Sequence, residues 1–264
     1  MTLVSAEDIE AFRRDGVVIL RGVLGPGEVA TLEAGVERNL GDLSPLGMNA
    51  TTDGAPGAFI EDFRNWDRIP EYESVIRSSG LAAAAGELLG SSAVRLFHDH
   101  LLVKEAGTLD RSPWHQDQPY YPIDGGDTVS FWIPLDPVER PATLEFVAGS
   151  HAGKWYMPRS FVQKTAMVFD EGTLEEVPDI YGDRDAYNIL GWAMQPGDAV
   201  AFNMLTLHAA AGSPTRRRAF SLRLLGDDVT WAPRPHRTSP PFDDVALEPG
   251  APLDHPQFPV LWRR

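Results

Sequence analysis

At 264 residues with a formal net charge of −15, the chain can bury one large core, and its acidity argues against a nucleic-acid partner. It contains no cysteine, which excludes disulfides, cysteine-ligated iron–sulfur clusters and zinc–thiolate sites, and no apolar run reaches membrane-spanning length. A hydrophobic content of 43% and the absence of a basic-then-apolar leader after Met1 predict a folded, cytoplasmic protein.

Taken in chain order, residues 1–90 read as mostly helical. Ser5 and Asp8 form a capping-box pattern opening a helix over Ala6–Arg14, which Gly16 should stop. Val17–Leu20 is a short β-branched run that suits a strand. Pro26 opens a second helix to about Leu40, and the alanine-rich stretch Tyr72–Leu89 is a third, broken near Gly80. The texture changes in residues 91–231. Ala93–Val103, Thr128–Leu135, Ala142–Val147, Asp198–Asn203 and Arg217–Leu225 are apolar runs separated by Gly, Pro and Asp, the pattern of an all-β barrel or sandwich. Residues 152–190 interrupt it as a long insertion, expected to form part of a lid. The tail over residues 232–264 holds eight prolines between Ala232 and Pro259 and is expected to wrap the surface in extended form. The whole, 1–264, is expected to be a single domain.

The chemistry concentrates at Trp114-His115-Gln116-Asp117. Residues two apart on a strand share a face, so His115 and Asp117 can grip one ion. A facial triad needs one more histidine and leaves coordination positions open. The chain has seven histidines, and His208 ends a Pro-Gly-Asp turn and apolar strand that would carry it to a barrel mouth. After the Gly212-Ser213-Pro214 turn come Arg216, Arg217 and Arg218. A hairpin there would lay the arginine strand beside that of His208. Arg217, Ala219 and Ser221 share one face, so Arg217 is the arginine best placed to point inward, with Ser221 beyond it. Two neutral histidines and one carboxylate leave a ferrous ion able to chelate the dianion 2-oxoglutarate. The far carboxylate of that dianion then needs a buried partner, and a guanidinium offers two parallel hydrogen bonds.

These segments, with the Gly149-Ser150-His151 turn, Pro196-Gly197-Asp198, the Arg-Arg-Ala-Phe-Ser run at 217–221 and the Asp-Gly-Val-Val-Ile-Leu-Arg-Gly opening at 15–22, resemble the phytanoyl-CoA dioxygenase family. The resemblance runs in order from about Ile9 to Leu225. It implies a mainly β, double-stranded β-helix (jelly-roll, cupin-like) core with flanking α-helices, and dependence on Fe(II), 2-oxoglutarate and O2. It also implies hydroxylation of a C–H bond of a small molecule or natural-product intermediate, with release of succinate and CO2. By the same match the iron ligands are His115, Asp117 and His208, and Arg217 anchors 2-oxoglutarate, with Lys104 and Trp132 lining its pocket. One departure is Ala210, where a small polar residue often stands in the family. The retained Asp117 favours oxygenation over halogenation, since related halogenases lose this carboxylate. Two rival readings use the same ligands: a zinc hydrolase, and a metal-binding jelly roll without turnover.

His98 and His100 share a face with Leu102 and Lys104, which makes them either core histidines or part of a substrate wall. Tyr120 and Tyr121 present the same choice between core and aromatic wall.

Overall fold

The computed structural model describes residues 3–51, 54–109, 111–158 and 174–264. Helices α1 (Ala6–Asp15), α2 (Pro26–Gly41), α3 (Pro70–Ser78) and α4 (Leu81–Leu89) are joined by strands β1 (Val17–Leu20), β2 (Met48–Asn49) and β3 (Phe59–Phe63). There follow β4 (Ala93–Lys104), β5 (Ser112–His115), β6 (Ile123–Asp124), β7 (Thr128–Pro134), β8 (Leu144–Val147) and β9 (Ile189–Leu190). The chain ends with β10 (Ala199–Phe202), β11 (His208–Ala210), β12 (Arg217–Leu225), β13 (Thr230–Trp231) and β14 (Val260–Arg263).

The strands form two main antiparallel sheets. The larger runs β1-β10-β7-β12-β4-β3-β2 with β14 also on β4; the smaller runs β5-β11-β8-β9. Alternation assigns the two faces of the larger sheet. Val129, Phe131 and Ile133 of β7 and Phe220, Leu222 and Leu224 of β12 pack outward with Leu32, Tyr72, Ile76 and Leu88 of the helices. The intervening residues Trp132 and Ala219 turn inward and meet Phe146, Phe202 and Met194. The fold is therefore the expected helix-backed jelly roll.

The start of the chain braces the loop that later carries the site. Ser5 Oγ accepts from Asp8 N at 3.1 Å and Ser5 N donates to Asp8 Oδ2 at 2.9 Å, closing the capping box. Gly16 ends α1 at φ 73°, and a Cβ there would lie 2.3 Å from His151 Nδ1, so both conformation and space require glycine. The Gly16 carbonyl then accepts from Asn203 N at 2.9 Å and Thr206 Oγ1 at 2.8 Å, tying α1 to the approach to His208.

Three expectations need correction. The Gly212 turn does not close a hairpin. β11 pairs with β5 and β8, whereas β12 pairs with β4 and β7, so the segment between them crosses from one sheet to the other. His208 and Arg217 consequently lie on opposing sheets. Residues 1–90 also contain β3, because Phe59–Phe63 completes the ladder beside β4, with Glu61 opposite Leu102 and Phe63 opposite His100. The proline-rich tail is not confined to the surface: Phe242, Leu253 and Phe258 are buried in a cluster with Tyr121 and Trp231, and β14 adds to β4.

Asp62 on β3 anchors the turn leading from α2. Fully buried, it accepts from Asn39 Nδ2 at 2.7 Å, Ser44 N at 2.8 Å and Phe63 N at 2.8 Å. Burial alone pushes its carboxyl up, but the Ser44, Asn65 and Asn39 donors outweigh this and hold it below the usual range. Its stabilisation is thus complete above the unfolded carboxylate pKa and disappears as pH falls through the lower folded value. Asp62→Ala leaves several donors without an acceptor and is expected to cost on the order of 3 kcal/mol, read by urea denaturation at neutral pH. An unchanged urea midpoint would refute this role.

Candidate metal centre

β5 and β11 are neighbours, and the register sets His208 opposite His115. Asp117 is not on the strand, contrary to the simple alternation argument. It follows β5 in a turn with φ −75° and ψ −46°, because Asp117 N and Gln118 N both donate to Met204 O, at 2.8 and 3.0 Å, and Pro119 enters a short 3-10 turn. Gln116 points away, donating to Leu205 O at 2.8 Å and accepting from Tyr156 N at 2.8 Å. The turn, rather than the strand period, brings the pair together.

The three side chains converge: one ligand atom from each of His115, Asp117 and His208 lies within 4.8 Å of the others. Both imidazoles place Nε2 3.6 Å from Asp117 Oδ1. His115 Nδ1 lies 2.8 Å from the Pro113 carbonyl and His208 Nδ1 2.9 Å from that of Thr206. A carbonyl can only accept, so Nδ1 carries the proton in each ring and Nε2 presents a lone pair to the shared point. Burial, then the neighbouring His115, lowers His208 to about 3, so it stays neutral at physiological pH. Burial pushes Asp117 up, but Arg223 and the two imidazoles more than offset this and hold it well below the usual carboxylate range. Two neutral nitrogens and one carboxylate oxygen, all buried, fit a divalent transition metal with open positions.

The triad opens into a cavity of about 270 Å³. Arg217 lies in its wall on the opposing sheet, 6% exposed. It donates to the Ala142 and Ala211 carbonyls, and its guanidinium lies 5.8 Å from the centre of the Trp132 ring. Among the described residues no carboxylate pairs with it, and burial alone lowers it to about 10, which leaves it charged. The flanking arginines are occupied elsewhere, Arg216 by Glu37 and Glu105, Arg218 by Asp136, Glu33 and Glu37. Lys104, Trp132 and Ser221 line the same cavity, Lys104 donating to Ala211 O at 3.1 Å.

Of the residues considered for a substrate wall, His100, Tyr120 and Tyr121 line the cavity. His98 does not, although it shares the inward face. It is fully buried behind the wall, with ring contacts to Phe97 at 4.9 Å and Tyr121 at 5.1 Å, and burial keeps it neutral. Of the 152–190 insertion, residues 159–173 lie outside the described residues, and β9 adds to the smaller sheet.

Two charged wall residues escaped the sequence reading. Glu61, from the unforeseen β3, sets Oε1 3.2 Å from His100 Nε2. Arg223 donates from Nη2 to Asp117 Oδ2 at 3.0 Å. Its signal was present, since it is the next inward position after Arg217, Ala219 and Ser221.

Comparison with known proteins follows the same lines. The profile described as Phytanoyl-CoA dioxygenase (PhyH) matches residues 12–219. The epimerase SnoN, crystallised with Fe3+, alpha ketoglutarate and nogalamycin RO, superposes with a TM-score of 0.76 at 22% identity over 97% of this chain and 98% of its own. SnoK, a non-heme alpha ketoglutarate dependent carbocyclase from nogalamycin biosynthesis, gives 0.75 at 22% identity over 97% and 96%. EctD from S. alaskensis, with 2-oxoglutarate and 5-hydroxyectoine, gives 0.67 at 20% identity over 95% and 86%. No curated protein sequence matches the chain. At these identities the structural likenesses establish a shared fold.

Proposed function

The chain belongs to the phytanoyl-CoA dioxygenase family, and from that premise we propose that it is an Fe(II)- and 2-oxoglutarate-dependent dioxygenase that hydroxylates a C–H bond of a small molecule. The observation that carries this reading is Arg217, a buried guanidinium without a carboxylate partner among the described residues, in the cavity that holds the triad. A buried charge left unpaired is costly, and a dicarboxylate bound at the ion would supply its partner. A zinc hydrolase has no use for it.

In this reading His115 Nε2, His208 Nε2 and Asp117 Oδ1 hold the ion. When bound, the ion activates dioxygen with oxidative decarboxylation of 2-oxoglutarate to succinate and CO2, and C–H oxidation of the substrate follows. The protein's residues supply the rest. Arg217 fixes the far carboxylate by paired donors, Trp132 and Phe202 wall the co-substrate, and Lys104 and Ser221 add polar contacts. Ala210 carries no hydroxyl, so any hydrogen bond from its family position must come from another of these groups. Tyr120, Tyr121, His100 and Phe63 form another part of the wall, against which a small substrate is placed. SnoN is an epimerase and SnoK a carbocyclase, so product mass separates hydroxylation from those alternatives.

Metal-free protein is expected to form no succinate. Fe(II) with 2-oxoglutarate should restore slow turnover under air, and Zn(II) should not. Zinc-supported hydrolysis with no 2-oxoglutarate consumption would refute the proposal.

A further inference from the structure

On the inward face of β12, Arg223 is 5% exposed and stands beside the triad. Asp117 uses its two oxygens differently: Oδ1 lies 3.6 Å from both imidazole Nε2 atoms, while Oδ2 accepts from Arg223 Nη2 at 3.0 Å. The outer oxygen is thereby held away from the shared point. Arg223 is only partly used by this contact. Its Nε and Nη1 are buried and take no hydrogen-bond partner, although the residue lines the cavity. Tyr121 sits beside the guanidinium, its ring centre 5.8 Å away and its hydroxyl in polar contact with the arginine, yet Nε and Nη1 keep no well-formed hydrogen bond. His98, opposite Arg223 on β4, has its Nδ1 on the Asp99 carbonyl at 3.1 Å, which leaves Nε2 as an acceptor, and that nitrogen too is buried without a hydrogen-bond partner. Buried N–H groups of a charged side chain are rarely left without acceptors, and each such group is costly. Here the buried donors belong to a residue that lines the cavity beside Tyr120, Tyr121 and His100.

Building on the oxygenase reading, we propose that Arg223 serves two partners at once. It holds the outer oxygen of Asp117 so that this carboxylate offers a single oxygen to the ion, and its remaining N–H groups receive a carboxylate or carbonyl oxygen of the substrate. Arg223 is then a positioning residue for the ligand and the specificity determinant for the substrate. The substrate class follows: a small molecule with an oxygen acceptor a short distance from the C–H bond to be oxidised, held against aromatic rings.

The test uses the full chain and three probes: Co(II), 2-oxoglutarate and benzoate. Wild type is loaded with Co(II), read by visible absorption, then saturated with 2-oxoglutarate, which fills the Arg217 end; benzoate is titrated last. Benzoate should bind saturably. R223Q should weaken Co(II) alone by about 10- to 100-fold, as loss of a partner to a metal ligand does, and benzoate by at least about tenfold. R223K keeps the charge but not the fork, so Co(II) should hold within roughly threefold while benzoate weakens at least about tenfold. Should R223Q fail to fold, R223K decides by that split. No benzoate binding to wild type, or unchanged affinities in the variants, overturns the proposal. Wild type that takes Co(II) but never 2-oxoglutarate sinks the oxygenase reading instead, and the Asp117 arm is still read with Co(II) alone.

Discussion

Asp117→Asn is expected to weaken Co(II) or Fe(II) binding by more than about 100-fold and to destabilise the metal-free protein by about 3–5 kcal/mol. Both effects have one origin. Asp117 is the only anion among the three ligands, and it is also the counter-ion of buried Arg223, 3.0 Å away. An amide of the same shape cannot neutralise either partner, and turning its NH2 outward sets donor against donor at Arg223. Because Asp117 is held well below the usual carboxylate range, the wild-type pair persists at any pH where the protein is folded in ordinary buffers. Asp117→Asn/Arg223→Met should recover much of the lost stability, since it removes the orphaned charge, and none of the metal affinity. Urea midpoints and a Co(II) titration on the three proteins separate the effects. If the single variant binds Co(II) like wild type, Asp117 is not a ligand.

The parts of the site that were legible in the sequence rest on chemistry that few residues can supply. With seven histidines and no cysteine, His115, Asp117 and His208 had few competitors, and strand period distinguished Arg217 from Arg218. Arg217 lines the cavity, whereas Arg218 pairs with Asp136. Helices announced themselves through local signals, Ser5 with Asp8 at one end and Gly16 at the other. What remained hidden was non-local. Gly212-Ser213-Pro214 encodes a turn, but whether the next strand joins the same sheet depends on partners far away, on β4 and β7. Phe59–Phe63 has two acids in five residues, and only the ladder on β4 and the donors to Asp62 make that segment a buried strand. Asp117 was placed on the correct face for an incomplete reason, because the turn that aims it is held by Met204, remote in sequence. Arg223 is the next inward position after Arg217, Ala219 and Ser221, yet its role depends on contact with Asp117, remote in sequence.

Arg217→Met should show the opposite balance to Asp117→Asn: severe loss of co-substrate binding with little loss of stability. In the metal-free protein this guanidinium has no carboxylate among the described residues, and burial works against its charge, lowering it to about 10. Replacing a buried charge of this kind by an apolar chain of similar length relieves desolvation, which offsets the lost donations to the Ala142 and Ala211 carbonyls. The unfolding free energy from urea denaturation should therefore stay within about 1 kcal/mol of wild type. Affinity for 2-oxoglutarate is a different matter. Removing one side of a buried, paired charge contact costs about 2–5 kcal/mol, roughly 30- to 5,000-fold in the apparent constant for 2-oxoglutarate. Co(II) binding should be unaffected, since Arg217 touches none of the three ligands' hydrogen-bond partners. Arg217→Lys should recover only part of the loss, because an ammonium cannot reproduce two parallel donations. Titrating 2-oxoglutarate into the Co(II)-loaded proteins measures all of this in one series. Equal affinity in wild type and Arg217→Met would mean that the dicarboxylate is anchored elsewhere, with Lys104 the next cation in the cavity to be tested.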